Sequence, residues 1–534
     1  MDYLHNPFAS ERHTVFAKKG MVATSQPLAS EAGLEILKKG GNAIDAAIAT
    51  AATLTVVEPT SNGIGGDAFA LVWTKGKLHG LNASGPSPQA LTVDAVKAKG
   101  HEKMPVHGLV PITVPGVPAA WAELSKKFGK LSLLETLQPA IRYAEEGYPL
   151  TPILGHYWKK AYDKFKDSFK SAEFDSWFET FAPDGRAPEI GEMWKSPGHA
   201  ATLRAIGESD ARDFYEGEIA SKIDAFMEQH GGFLRKADLA AYKPEWVEPV
   251  STKYRGHDVW EIPPNGQGMV ALMALNVFDK LDAPQWQSAE TLHQQIESMK
   301  LAFTDGQAFI TESEDMPVSV EHLLSDEYAK VRAATIDVQA SDPVPYELPK
   351  GGTVYLAAAD EEGNMISFIQ SNYMGFGSGI VIPGTGIGLQ NRGADFSLDS
   401  AHPNVLKPGK RTYHTIIPGF LTKDGKAVGP FGVMGGYMQP QGHFQVMTNT
   451  LDYLLNPQAA LNMPRWQWIG GKKVHVEPGF PSYLVQALQR KGHEIEVMPD
   501  GGSFGRGQII WRNPETGVLA GGTESRTDGA VAVW

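Results

Sequence analysis

The sequence predicts an α+β protein whose sheets stack face to face under a cover of helices, and three observations carry that prediction. Strand-like segments fall into two groups, each with helices nearby, instead of alternating one for one with helices as a doubly wound parallel sheet requires. A helix over residues 43–57 carries alanine at 46, 47, 49, 51 and 52, a thin profile suited to tight packing on a sheet. Two apolar runs, residues 353–360 and 365–371, flank the turn Glu361-Glu362-Gly363-Asn364 and read as a hairpin.

Taken in order, residues 20–25 read as a short strand. Residues 28–38 show helical spacing through Leu28, Ala32, Leu34, Ile36 and Leu37, ended by Gly40-Gly41. Asn42 caps the alanine-rich helix, which Glu58-Pro59 closes. Gly63-Ile64-Gly65-Gly66-Asp67 then opens strands over 68–73 and 77–83. From residue 119 to about 303 the pattern is mainly helical, broken by Pro149, Pro152, Pro183-Asp184-Gly185 and Pro197-Gly198. The loop 261–268 reads as a plain connection into a helix over 269–281. Residues 333–348, rich in Asp, Ser, Pro and Val, read as an exposed, mobile segment. Beyond the hairpin, 405–421 is strand-like, 449–455 helical, 481–491 an amphipathic helix, and 494–498 and 508–511 strands.

Composition narrows the chemistry. A chain of 534 residues exceeds one simple core, and 42% hydrophobic residues mark it as globular. The 61 acidic residues outweigh 48 basic ones, a net charge of -13 that disfavours nucleic acid or anionic membrane as partner. Without cysteine there is no disulfide, thiol nucleophile or thiolate metal site, so catalysis falls to oxygen or nitrogen nucleophiles. The first 20 residues lack the apolar run of a signal peptide, which predicts a cytoplasmic protein. The longest apolar segment, 43–57, is shorter than the roughly 20 residues of a membrane helix. The 16 histidines form no His-Glu-x-x-His pair, so no catalytic metal or other cofactor is expected.

The candidate nucleophile is Thr353. It follows Gly351-Gly352 at the head of an apolar run, where glycine tolerates the backbone distortion of an internal acyl shift. An ordinary turn entering a strand has the same letters; the glycine-rich stretches 375–379 and 384–388 nearby favour close approach to a ligand. Rival motifs fail. Gly501-Gly502-Ser503-Phe504-Gly505 has a nucleophile-elbow spacing but is followed by a strand, and no histidine lies beyond His493. No phosphate-binding loop is present, and Gly384-Thr385-Gly386-Ile387-Gly388 lacks the dinucleotide spacing.

The stretches 21–66, with Gly40-Gly41-Asn42-Ala43-Ile44-Asp45-Ala46-Ala47, and 353–397 together resemble the gamma-glutamyltranspeptidase family of N-terminal-nucleophile hydrolases, including its cephalosporin-acylase-like branch. The resemblance implies a four-layer αββα sandwich and self-cleavage between Gly352 and Thr353. It divides the chain into a large portion, 1–352, and a small portion, 353–534, intertwined in one domain and forming a heterodimer of its own fragments, with higher oligomers open. In that frame Ser371 orients the nucleophile, Asp395 receives a substrate α-amine beside Asn391, and Gly435-Gly436 bind the oxyanion. Departures concern the acyl pocket: Ser84 stands where an arginine is expected, Tyr373 replaces asparagine, Arg392 glutamine, and His414-Thr415 a serine pair. Arg392 or His414 is therefore expected to neutralise an acyl carboxylate, and the short stretch 398–409 predicts an open pocket. The activity implied is transfer or hydrolysis of gamma-glutamyl amides such as glutathione, with a small-molecule acyl donor and water or an amine as acceptor. The alternatives are a cephalosporin (glutaryl) acylase or small-amide amidohydrolase, and a non-catalytic binding protein with the same fold.

Overall fold

The computed structural model describes residues 12–282, 284–343, 352–499 and 501–534. Fourteen strands form two seven-stranded sheets. The first runs Val15–Ala17, Leu519–Thr523, Arg506–Arg512, Lys426–Met434, Gly419–Lys423, His257–Glu261, Val250–Tyr254. The second runs Ala530–Val533, Gly20–Thr24, Gly352–Asp360, Met365–Tyr373, Asp67–Thr74, Lys77–Ala83, Glu245–Val247. Each pairing in both is antiparallel.

The strand Gly352–Asp360 shows how the layers arise. Successive side chains on a strand point to opposite faces. Tyr355, Ala357 and Ala359 pack between the sheets with Phe420, Met434 and Ile510. Val354, Leu356 and Ala358 pack outward among the residues of the helices Pro27–Lys38 and Ala43–Val57. Being buried on both faces, this strand is apolar without alternation. The alanine helix is buried at every position, and its start is fixed by Asn42, whose side chain accepts from the N–H groups of Ile44 and Asp45 while Asp45 accepts from that of Asn42. On the far side, helices Gly268–Phe278, Ala289–Phe309 and Met438–Leu451 cover Val259, Leu421, Val433 and Ile509 of the first sheet. The result is a helix–sheet–sheet–helix sandwich. Each sheet mixes strands from before and after Gly352, so the portions 1–352 and 353–534 are interleaved.

Three expectations need correction. Residues 405–418 are loop, and only Gly419–Lys423 is strand. Pro408, Gly409 and Pro418 interrupt that stretch, and its backbone bonds go to other loops, as in His414 N–H to Asn265 O and Gln267 N–H to His414 O. The helix expected at 449–455 is Met438–Leu451, hidden by its glutamines, Pro440 and Gly442. The mainly helical stretch also contains five short strands: the pair Tyr148–Pro149 and Met193–Trp194, and Glu245–Val247, Val250–Tyr254 and His257–Glu261. Of the segment read as mobile, 344–348 lies outside the described residues, whereas 337–341 is docked by backbone and side-chain bonds. No described helix is long and apolar enough to cross a membrane.

Candidate active site

Strand pairing brings the first candidates together. Gly352 lies opposite Tyr373 and Val354 opposite Gln370, with a register shift between them that leaves Thr353 at a bulge. Ser371 occupies the same face as Met365 and Ile369, which point between the sheets. Thr353 is fully buried, and its Oγ1 donates to the Gly352 carbonyl at 2.7 Å and lies 3.0 Å from Ser371 Oγ. Ser371 Oγ donates to the same carbonyl at 2.7 Å and accepts from the Tyr373 N–H at 2.8 Å. Two hydroxyls thus converge on the one carbonyl that precedes the threonine.

The glycine loop supports this geometry from beside it. Asp67 pairs with Ser371 across the strands, and a Cβ on Gly66 would stand 2.4 Å from the Ser371 carbonyl oxygen, so only glycine lets the loop approach. Asp67 is buried and pushed up to about 7 by desolvation, with Gln390, Arg392 and the Gly85 N–H pulling the other way.

A second group surrounds Asp395. Its Oδ1 accepts from the Tyr373 hydroxyl at 2.5 Å and the Tyr437 hydroxyl at 3.3 Å, and Oδ2 lies 3.1 Å from Arg392 Nη1. Burial pushes this carboxyl up, with Arg392 and the two hydroxyls opposing the rise only in part. Arg392 is 1% exposed; its Nη1 also donates to Thr415 Oγ1 at 2.9 Å, and its guanidinium stacks 3.8 Å from the Tyr373 ring centroid. Among the described residues, its Nε and Nη2 have no hydrogen-bond partner. A buried guanidinium with two unpartnered nitrogens is costly unless a ligand completes it.

His414, named beside Arg392 as a candidate to neutralise an acyl carboxylate, is held by its own neighbours. Its Nε2 lies 3.0 Å from Asp67 Oδ2, Nδ1 accepts from the Ile416 N–H at 3.3 Å, and burial together with Arg392 holds the ring well below its usual pKa, hence neutral. Asn391 is likewise spent on the fold, donating to Val106 O at 2.8 Å and accepting from the Met374 N–H at 3.2 Å.

Gly435 and Gly436 follow the strand Lys426–Met434 with φ of 137° and 59°, values that suit glycine. Neither N–H donates a hydrogen bond among the described residues. Their loop is held by Gln267, whose Nε2 donates to Gly436 O at 2.9 Å and to Thr415 O at 2.6 Å. Gln267, Asp67 and Tyr437 escape sequence reasoning. Asp67 ends a glycine motif already noticed, but Gln267 sits in a loop that reads as a connection.

Two stacked sheets with a hydroxyl residue at the head of a central strand define the class of N-terminal-nucleophile hydrolases. The sequence pattern of the family described as gamma-glutamyltranspeptidase matches residues 29–534, and the chain belongs to that family and is an enzyme. It is similar to the crystal structure of a cephalosporin acylase from Bacillus halodurans, with a TM-score of 0.97 and 65% identity over 99% of this chain and 98% of that one. It is 38% identical over 486 residues to the glutathione hydrolase-like YwrD proenzyme of Bacillus subtilis (strain 168), covering 89% of this chain and 90% of the relative. It is 32% identical over 487 residues to the oxamate amidohydrolase proenzyme of Klebsiella pneumoniae, with the same coverage of 89% and 90%.

Proposed function

We propose that the chain cuts itself between Gly352 and Thr353 and that the freed threonine then hydrolyses amides, or transfers their acyl group, through an acyl-enzyme. The convergence of the Thr353 and Ser371 hydroxyls on the Gly352 carbonyl carries this reading. Thr353 Oγ1 attacks the carbonyl carbon, an O–C bond forms, the C–N bond to Thr353 breaks, and the hydroxyl proton passes to the departing nitrogen. Ser371, donating to the carbonyl oxygen, stabilises the charge that gathers there. Water then cleaves the ester, leaving a Gly352 carboxylate and a free α-amine on Thr353. That amine, with a reference pKa of roughly 7.7–8.0, serves as general base for the next attack by the same residue. The free N–H groups of Gly435 and Gly436 serve as donors to the oxyanion, and Gln267 holds them in place. After cleavage the portions 1–352 and 353–534 stay together as a heterodimer.

For the acyl group we infer a chain that ends in a carboxylate and carries no ammonium, as in a glutaryl amide. The unpartnered Nε and Nη2 of Arg392 support it, and so does the similarity to a cephalosporin acylase. The alternative, gamma-glutamyl compounds such as glutathione, is favoured by the presence of Asp395 and by a relative named glutathione hydrolase-like. It asks Asp395 to receive an ammonium although Arg392, Tyr373 and Tyr437 already occupy its oxygens. Comparing a glutaryl amide with a gamma-glutamyl anilide separates the two. Arg392→Ala is expected to raise KM for the glutaryl amide by roughly 10-fold or more, the scale of a lost charge-assisted bond. An unchanged KM for every acidic acyl substrate would sink the carboxylate reading.

A further inference from the structure

Outside the Thr353 cluster, three metal-ligating side chains meet in the helix-covered core beside the first sheet. His293 and Glu297 lie one turn apart on the helix Ala289–Phe309, and His493 precedes the strand Glu494–Val497. They are 0%, 1% and 3% exposed. His293 Nδ1 is 2.8 Å from His493 Nε2, which is 4.0 Å from Glu297 Oε1, and one ligand atom from each residue lies within 4.8 Å of the other two.

The outer contacts orient these atoms. His293 Nε2 is 2.7 Å from the Asp337 carbonyl, which can only accept, so Nε2 carries the proton and Nδ1 presents its lone pair to His493. Glu297 Oε2 accepts from the Ser341 N–H at 3.1 Å and from the Ser341 hydroxyl, which leaves Oε1 facing the histidines. A carbonyl behind one imidazole and donors behind the carboxylate are the supports that metal ligands use.

We propose that His293 Nδ1, Glu297 Oε1 and His493 Nε2 bind a divalent transition cation, zinc by the chemistry of two imidazoles and a carboxylate, with water as fourth ligand. Bonds of about 2.0–2.1 Å to both imidazoles in a tetrahedral site put the nitrogens about 3.3 Å apart, so the present pair opens by about half an ångström. Lys300 is the cation's rival. Its Nζ lies 2.7 Å from Glu297 Oε1 and 3.1 Å from Ser341 O, so it supplies the positive charge without an ion and keeps the Ser341 carbonyl when one binds. The three ligands come from both sides of Gly352. Through Asp337 and Ser341 the cation fastens the segment that leads toward Thr353 to the helix and to the small portion.

The test is calorimetric titration of zinc into untagged, chelator-washed full-length protein, with cobalt absorption as a second readout. One zinc per chain is expected, together with the visible bands of four-coordinate cobalt. His493→Ala and His293→Gln should each weaken zinc binding at least about 100-fold, beyond the effect of losing an outer partner. Lys300→Met should tighten it, since the competing ammonium is gone. Substoichiometric zinc, absent cobalt bands in the wild type, unchanged affinity in His493→Ala, or weaker binding in Lys300→Met would each overturn the site. The cobalt spectrum keeps the proposal falsifiable even where a histidine variant does not fold.

Discussion

Tyr373 shows how one residue holds the buried Asp395–Arg392 group, the acyl site proposed above. Its φ of 75° lies in the left-handed region, where asparagine is tolerated and a bulky aromatic costs of order 1–3 kcal/mol. The bond to Asp395 and the stacked Arg392 offset that strain. Tyr373→Phe keeps the stack and loses the bond. Urea unfolding should show a loss of about 1.5–3 kcal/mol, the range for a hydrogen bond to a charged group; unaltered stability would mean that the hydroxyl does not anchor Asp395. A second test concerns Glu58, buried beside Ser25 and Arg506 and pushed up to about 7 by desolvation. A carboxyl that binds its proton more tightly when folded contributes stability at low pH that is lost as pH rises from 4.5 through about 7. Relative to wild type, the melting temperature of Glu58→Gln should therefore improve between about pH 5 and about pH 8. A gap that stays constant over that range would contradict the assignment.

At the scale of elements, the glycine loop 63–66 and the hairpin that begins at Gly352 act together. Gly66→Ala would press a methyl group against the Ser371 carbonyl, an overpacking of about 1–3 kcal/mol, and should slow self-cleavage by displacing Ser371. Wild-type stability and processing in that variant would show that the close approach is dispensable. The hairpin, both early helices and the threonine at its strand head were legible because their signals are local: glycine pairs, caps and short-range periodicity. Asp67 with His414, and Gln267 with Gly436, were not, because 347 and 169 residues separate the partners and no local pattern announces either contact. The same distance hid the neutral state of His414, which depends on burial that no spacing encodes. The strands 245–261 were missed because each is five residues or shorter and lies toward a sheet edge, where alternation is weak.

For the whole molecule, the order of strands explains why cleavage need not release a fragment. Gly352–Asp360 sits between Gly20–Thr24 of the large portion and Met365–Tyr373 of the small one, and the sheets share one apolar layer. A cut before Thr353 would free an amine without exposing that layer. Native gel filtration of the cleaved protein should accordingly give one species holding both portions; separation without denaturant would refute the interleaved arrangement. Denaturing electrophoresis of wild type beside Thr353→Ala tests the central claim most directly. Wild type should give bands of about 38 and about 20 kDa, the shares of 57.9 kDa carried by residues 1–352 and 353–534, with threonine at the start of the smaller one. Thr353→Ala should stay whole and inactive. A wild type that remains a single active band, or a Thr353→Ala variant that cleaves and turns over substrate, would place the nucleophile elsewhere.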